Sequence, residues 1–219
     1  MTRQFDCFII FAEMRTGSNF LESNLDQFSG LTCYGEAFNP YFMVSPKTKE
    51  LFGVTTEARD KDPMVLIDAI KKGTNGLPGF RFFHDHDPRV FEMLIDDPRC
   101  AKVVLTRNHV ESYVSRKIAW ETDQWQLNDV RDVIKKQATF HGWEFERLFY
   151  RMKNFQLQIK DRLQRSGQTA FYVDYEDAQD IDVINGLARF LGESGEITEF
   201  AGKFKKQNPE TLAEKVVNF

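Results

Sequence analysis

Short continuous apolar runs alternate along this chain with stretches in which apolar residues recur every three or four positions. Residues 5–12 form the first run and are bounded by turn chemistry, which predicts a buried strand. From 18 to about 28, Phe20, Leu21, Leu25 and Phe28 suit one face of a helix. Residues 39–63 mix prolines, lysines and acids with weak periodicity and are expected to form a long, partly mobile excursion facing a substrate. A helix is expected over 64–72, a turn at Gly-Leu-Pro-Gly, a strand at FRFF (80–83) and a short helix over 88–95 with proline in its first turn. KVVLTR (102–107) is the clearest strand. Helices follow over 109 to about 121 and over most of 129–165, where Val133, Phe140, Leu148, Met152, Phe155, Ile159 and Leu163 share a broad stripe. TAFYVDY (169–175) reads as a strand and 181–191 as a helix.

Strands alternating with helices predict a three-layer α/β/α fold around a central, mostly parallel sheet, here as one domain over 1–219. Ligands of such sheets sit beyond the carboxyl ends of the strands. Arg15, Glu36 and Arg107 follow strand or turn positions compatible with that edge.

Composition narrows the function. With 42% hydrophobic residues and 21 phenylalanines, 219 residues suffice for an aromatic-rich core. A formal net charge of −4 argues against a protein that coats nucleic acid, while leaving a small anionic ligand open. Cys7, Cys33 and Cys100 form no C-x-x-C pair, so neither a disulfide framework nor a zinc site is expected. The early apolar run is too short for a membrane span and lacks the flanks of a signal peptide. The expectation is a cytoplasmic protein with no integral membrane segment and no metal.

The chemistry begins where the first strand ends, at MRTGSN (14–19). Gly17 permits a tight turn, a helix N-terminus offers amides from residues 16–19, and Arg15 adds a permanent planar cation; together they suit a phosphate. Ser18 or Asn19 as a plain helix cap is the alternative. The loop lacks the nucleoside-triphosphatase pattern G-x-x-x-x-G-K-[ST] and the dinucleotide pattern G-x-G-x-x-G. In TRNHVESYVSRK (106–117), Arg107 ends a strand and Ser115 lies eight residues on, nearly the same helical face, so the two suit a second anion.

This ordered set resembles the sulfotransferases that use 3′-phosphoadenosine-5′-phosphosulfate (PAPS), a family with a P-loop-containing nucleotide-hydrolase-like fold. The resemblance continues through YGEAFNP (34–40), GFRFF (79–83), YVDYEDA (172–178), RFLG (189–192) and KQNPETLAEKVVNF (206–219). Its GE-x-FNP element and loop arginine look most like bacterial carbohydrate sulfotransferases that modify nodulation factors, trehalose or cell-surface glycans. Ala178 departs from the family, which usually has leucine there, with a packing consequence only. The resemblance implies that PAPS is the donor, that adenosine 3′,5′-bisphosphate (PAP) is released, and that no metal is required. Arg15, Thr16, Gly17, Ser18 and Asn19 would cradle the 5′-phosphosulfate, while Arg107 and Ser115 would hold the 3′-phosphate. Glu36 would be the base that accepts the acceptor's proton, with Arg15 stabilising the leaving group. A carbohydrate-type acceptor and a homodimer are further expectations from the same relatives.

Several assignments stay open at this stage. His84, in HDH (84–86), is the alternative base, with Asp85 beside it. His109 is a helix-start or orienting residue. Lys203, Lys205 and Lys206 are either further contacts to the 3′-phosphate or a solvated charge run. Trp120 and Trp125 either line a sugar site or pack, with packing favoured, and Trp143 is expected in the core. The competing functions are a PAP- or PAPS-binding protein without turnover and a small-molecule kinase. The kinase is disfavoured because position 15 is Arg and the strongest strand ends in Thr106-Arg107 rather than in an acid.

Overall fold

A computed structural model describes residues 4–125, 136–202 and 210–218. Its centre is a sheet of five strands, β1 (Cys7–Phe11), β2 (Leu31–Cys33), β5 (Leu77–Phe82), β6 (Cys100–Thr106) and β7 (Phe171–Asp174), in the order β2-β5-β1-β6-β7. Every neighbouring pair is parallel, with Ile9 of β1 in register with Phe80 on one side and Lys102 on the other. A separate antiparallel hairpin joins β3 (Glu50–Leu51) to β4 (Val54–Thr55).

The period-two alternation of β1 divides the core in two. Cys7, Ile9 and Phe11 face α3 (Pro63–Gly73), α4 (Pro88–Leu94) and α6 (Gly142–Ser166), whereas Phe8 and Ile10 face α1 (Ser18–Leu25) and α7 (Ile181–Phe190). The phenylalanine-rich composition serves the first layer. Phe11, Phe82, Phe91 and Phe155 form one cluster whose contacting rings lie 5.8–6.3 Å apart, the offset geometry such rings prefer. A smaller third cluster packs α5 (His109–Thr122) against Ala138, Val216 and the start of α6, close to the short α8 (Leu212–Lys215). The three-layer α/β/α fold expected from the alternation is therefore the fold observed.

The strand order positions the site. β1 pairs with β5 and β6, neither of which follows it directly in the chain. The connections leaving β1 and β6 consequently part at the carboxyl edge, which is where a crevice opens in sheets of this kind.

Four local expectations are corrected. Leu77-Pro78-Gly79 begins β5 instead of forming a turn. Pro78 sits opposite Thr32 before the pairing with β1 begins at Gly79, so its missing N–H leaves that ladder intact, and a Cβ at Gly79 would collide with the ring of Phe8. Residues 136–141 lie outside the long helix, which starts at Gly142, because Ala138 bridges to Val216 and turns Phe140 onto Tyr113, with ring centroids 5.0 Å apart; 129–135 lie outside the described residues. Val133 lies outside the described residues, and Trp143, expected in the core, is 65% exposed. The 39–63 excursion is a built element, carrying the β3–β4 hairpin and α2 (Thr56–Lys61). Its anchor is a buried Arg59, whose Nη1 donates to the carbonyls of Ala37 (2.9 Å) and Phe42 (2.7 Å), a polar tie that hydrophobic periodicity does not register.

Candidate active site

The loop between β1 and α1 is closed by its own hydrogen bonds. Thr16 donates to the Glu13 carbonyl through its amide (3.2 Å) and its hydroxyl (2.7 Å), and the Glu13 amide donates back to Thr16 Oγ1 (3.3 Å). The backbone then passes through the left-handed region at both Arg15 (φ 68°) and Gly17 (φ 88°). For arginine this conformation is uncommon and costly, and such strain concentrates at functional sites. At Gly17 it is combined with close contact, since an added Cβ would run into the ring of Tyr175. Beyond Gly17 the first-turn amides of α1 stand outside the helix's own ladder, and no side chain caps them.

Two arginines meet this loop. Arg15 Nε donates to Ser115 Oγ (3.0 Å) and its Nη1 to the Trp125 carbonyl (2.7 Å). Arg107, just past β6, donates from Nη1 to the carbonyl of Arg15 (2.9 Å) and pairs with Glu111 (2.7 Å), while its guanidinium lies 4.2 Å from the ring centroid of Tyr175. The sequence places Arg107 and Ser115 together as one unit; in the fold, Arg15 is the link between them. Burial, and then the like charge of Arg107, push Arg15 down to about 10, with Tyr175 acting in the opposite sense. Arg15 remains a cation at neutral pH, and an anion between the two guanidinium groups would relieve their repulsion.

A third set of groups surrounds Glu36, which follows β2 in the turn at 34–38. Its carboxylate accepts from Asn39 Nδ2 (2.7 Å) and lies 3.4 Å from Arg81 Nη1 and 3.6 Å from His86 Nε2. Burial alone would raise the Glu36 carboxyl; His86, Arg81 and Asn39 outweigh it and hold the group below its ordinary value. Arg81 projects from β5, is only 5% exposed, and also ion-pairs with Glu22 (Nε to Oε2, 2.6 Å) and donates to Ser18 Oγ (3.2 Å). The His86 side chain is fully buried beside Phe82 and Phe83, and neither ring nitrogen has a hydrogen-bond partner among the described residues.

Apart from His86, which stands behind Glu36, the side chains around these three sets converge on one cleft of about 930 Å³ lined by Arg15, Glu36, Asn39, Arg81, Arg107 and Tyr175. Of the residues singled out from the sequence, Arg15, Gly17, Ser18, Asn19, Glu36, Arg107 and Ser115 line it. Thr16 and His84 do not. Thr16 is buried and spends its amide and hydroxyl on Glu13, and His84 Nδ1 is 2.7 Å from Glu13 Oε2, a contact that raises its pKa despite burial. Lys203, Lys205 and Lys206 lie outside the described residues. Among the described residues the buried Lys215 of α8 and Arg116 line the cleft. His109 opens α5 behind the capping side chain of Asn108 and packs edge-on against Phe149. Tyr41, Trp120 and Trp125 line the cleft with exposed rings, and Trp120 and Trp125 also pack edge-on against each other with centroids 6.0 Å apart.

Reading the sequence missed Arg81, His86 and Tyr175. A charged residue inside the otherwise apolar FRFF was the available signal for Arg81, because a strand buried on both faces admits a cation only when it is partnered. Nothing local announces His86 or Tyr175, whose neighbours come from distant segments.

Among the described residues no helix is long and apolar enough to cross a membrane, and no cluster of three or more His, Cys, Asp or Glu is arranged to hold a metal ion. No protein-family model matches the sequence, and no curated protein matches it either. Among solved structures, the crystal structure of a sulfotransferase from Alicyclobacillus acidocaldarius is similar, with 19% sequence identity and a TM-score of 0.53 over 96% of this chain and 87% of that one. At this identity the likeness establishes a shared α/β fold.

Proposed function

We propose that this protein is a sulfotransferase that moves the sulfonyl group of PAPS to a hydroxyl of a carbohydrate or glycolipid acceptor and releases PAP. The observation that carries the reading is the convergence, in one cleft, of the Ser115–Arg15–Arg107 chain of cationic contacts with a carboxylate biased towards its ionised form. The fold likeness supports it.

In this scheme Gly17, Ser18 and Asn19 donate to the 5′-phosphosulfate at the start of α1, while Arg107 and Ser115 receive the 3′-phosphate. Glu36 takes the acceptor's hydroxyl proton as its oxygen bonds to sulfur. The bond from sulfur to the bridging oxygen breaks, and that oxygen leaves on the 5′-phosphate with its electron pair, stabilised by Arg15. Thr16 acts indirectly, by closing the loop that presents Arg15 and Gly17.

Calorimetric titration with PAP in chelator, and in parallel with ATP plus Mg²⁺ without chelator, tests the donor assignment. Tight PAP binding without metal is expected. Arg107→Ala should weaken PAP at least about tenfold and adenosine 5′-phosphate far less, because a charge-assisted bond to the distinguishing group is worth about 1.5–3 kcal/mol. Equal losses for the two nucleotides would remove Arg107 from the 3′-phosphate site, and preference for ATP plus Mg²⁺ would replace the sulfotransferase reading with a kinase.

A further inference from the structure

In the wall of the cleft, one buried cation is shared between the anion loop and the candidate base. Arg81 Nη1 donates to Ser18 Oγ at 3.2 Å and lies 3.4 Å from Glu36 Oε1, while its Nε is 2.6 Å from Glu22 Oε2. The other oxygen of Glu22 accepts from the amide of Gly35 at 2.9 Å, immediately before Glu36. Ser18 and Glu22 are one turn apart on α1, so a single guanidinium and its partner carboxylate fasten the beginning of α1 to the Glu36 turn. We propose that Arg81 is a positioning residue that registers the Glu36 carboxylate with the anion loop, so that the acceptor's oxygen and the group transferred to it meet in line.

The arrangement has a chemical cost that structural glue alone would not require. A buried arginine held between two half-buried carboxylates is an expensive substitute for apolar packing. Its planar fork, however, fixes direction as well as charge, and directional holding of reacting groups contributes to rate. The two carboxylates around it are also driven apart. Burial raises Glu22 even against Arg81, while His86, Arg81 and Asn39 overcome burial to lower Glu36. The carboxylate that faces the cleft is the one kept ready to accept a proton. The charged and polar groups facing Glu36 are Arg81 from β5, His86 from the turn after it and Asn39 from its own turn, with Glu22 of α1 acting through Arg81.

This inference rests on the proposed function for its kinetic consequence but has a readout that does not need turnover. Arg81→Gln alone leaves the half-buried Glu22 without its counter-charge, so the double variant Glu22→Gln/Arg81→Gln, which removes one charge of each sign, is the fair test. Carbon-13 NMR of glutamate-labelled protein, with the Glu36 resonance assigned by its loss in Glu36→Gln, follows the carboxyl directly. In the double variant the Glu36 titration should move to higher pH, PAP affinity should change by less than about threefold, and single-turnover transfer should fall about 100-fold. Keeping a cation at this position in Glu22→Gln/Arg81→Lys should return the titration towards its original position while restoring little of the rate, because an ammonium group replaces charge but not the fork. An unchanged Glu36 titration, or a loss of PAP affinity equal to the loss of rate, would overturn the proposal and leave Arg81 as a structural or donor-binding group. If no acceptor turns over even with the unaltered protein, the sulfotransferase reading fails separately, while the shift in the Glu36 titration still decides whether Arg81 governs that carboxylate.

Discussion

Replacing Gly17 by alanine perturbs the loop and its neighbour together, and the two contributions are separable. At φ 88° an L-residue costs about 1–2 kcal/mol. The new methyl group also meets the Cδ2 and Cε2 atoms of Tyr175, so the ring must leave its place against the loop and its stack with Arg107, worth about 0.5–2 kcal/mol. The sum is about 1.5–4 kcal/mol, a fall of about 3–16 °C in Tm for a domain of this size. Gly53→Ala is the control, because φ is 77° there and no atom lies within 4 Å of the added Cβ. Calorimetric scans of both variants, with and without PAP, isolate the ring contact as their difference. Gly17→Ala should melt several degrees below Gly53→Ala and lose most of its stabilisation by PAP. Equal melting temperatures would refute the contact between Tyr175 and the anion loop, and with it this account of why residue 17 is glycine.

Two further predictions follow from the titrating groups. Glu36→Gln should leave PAP affinity within about threefold while transfer drops about 10²–10⁴-fold, as for loss of a general base. In the unaltered protein the folded value of Glu36 is depressed, so its ionised form persists below the ordinary 4.5 and the acid limb of the rate should lie below that pH; a limb well above it would exclude Glu36 as the base. For His84 the sign is opposite, since the contact with Glu13 raises its folded pKa above the ordinary 6.5. That stabilisation is complete below 6.5 and is lost as pH rises through the raised value. Urea unfolding across pH 5.5–9 should therefore show a decline that Glu13→Gln flattens, and a variant with the same decline as the parent would dissociate the pair from stability.

What was legible in the sequence follows the range of the interactions involved. Strand β1 was readable because five consecutive apolar residues have no other use, and the anion loop because Gly17 and Arg15 adjoin it within a few positions. Pairing of distant segments was not. The start of α6 is set by the bridge from Ala138 to Val216, across 78 residues of chain, and no local periodicity encodes that stop. The 39–63 segment shows only weak periodicity because its anchor is a guanidinium on carbonyl groups rather than an apolar stripe. Within the site, Glu36 was found through its motif, but its companions Arg81 and His86 were hidden in a segment that reads simply as an aromatic strand and its turn.

The tether formed by Arg59 has a consequence for engineering. Both carbonyls it holds, at Ala37 and Phe42, belong to the turn and wall beside Glu36, and the arginine reaches them from α2, beyond the β3–β4 hairpin. The hairpin is thus bracketed by a clasp that closes without it. Between the clasp points Met43 and Val54 are buried in the core and the Val44 carbonyl accepts from the Glu36 amide at 3.2 Å, so those positions are fixed, whereas the exposed Pro46, Lys47, Lys49 and Glu50 can be exchanged while the backbone on either side of the carboxylate stays clamped, which makes them the natural place to graft recognition of another ligand.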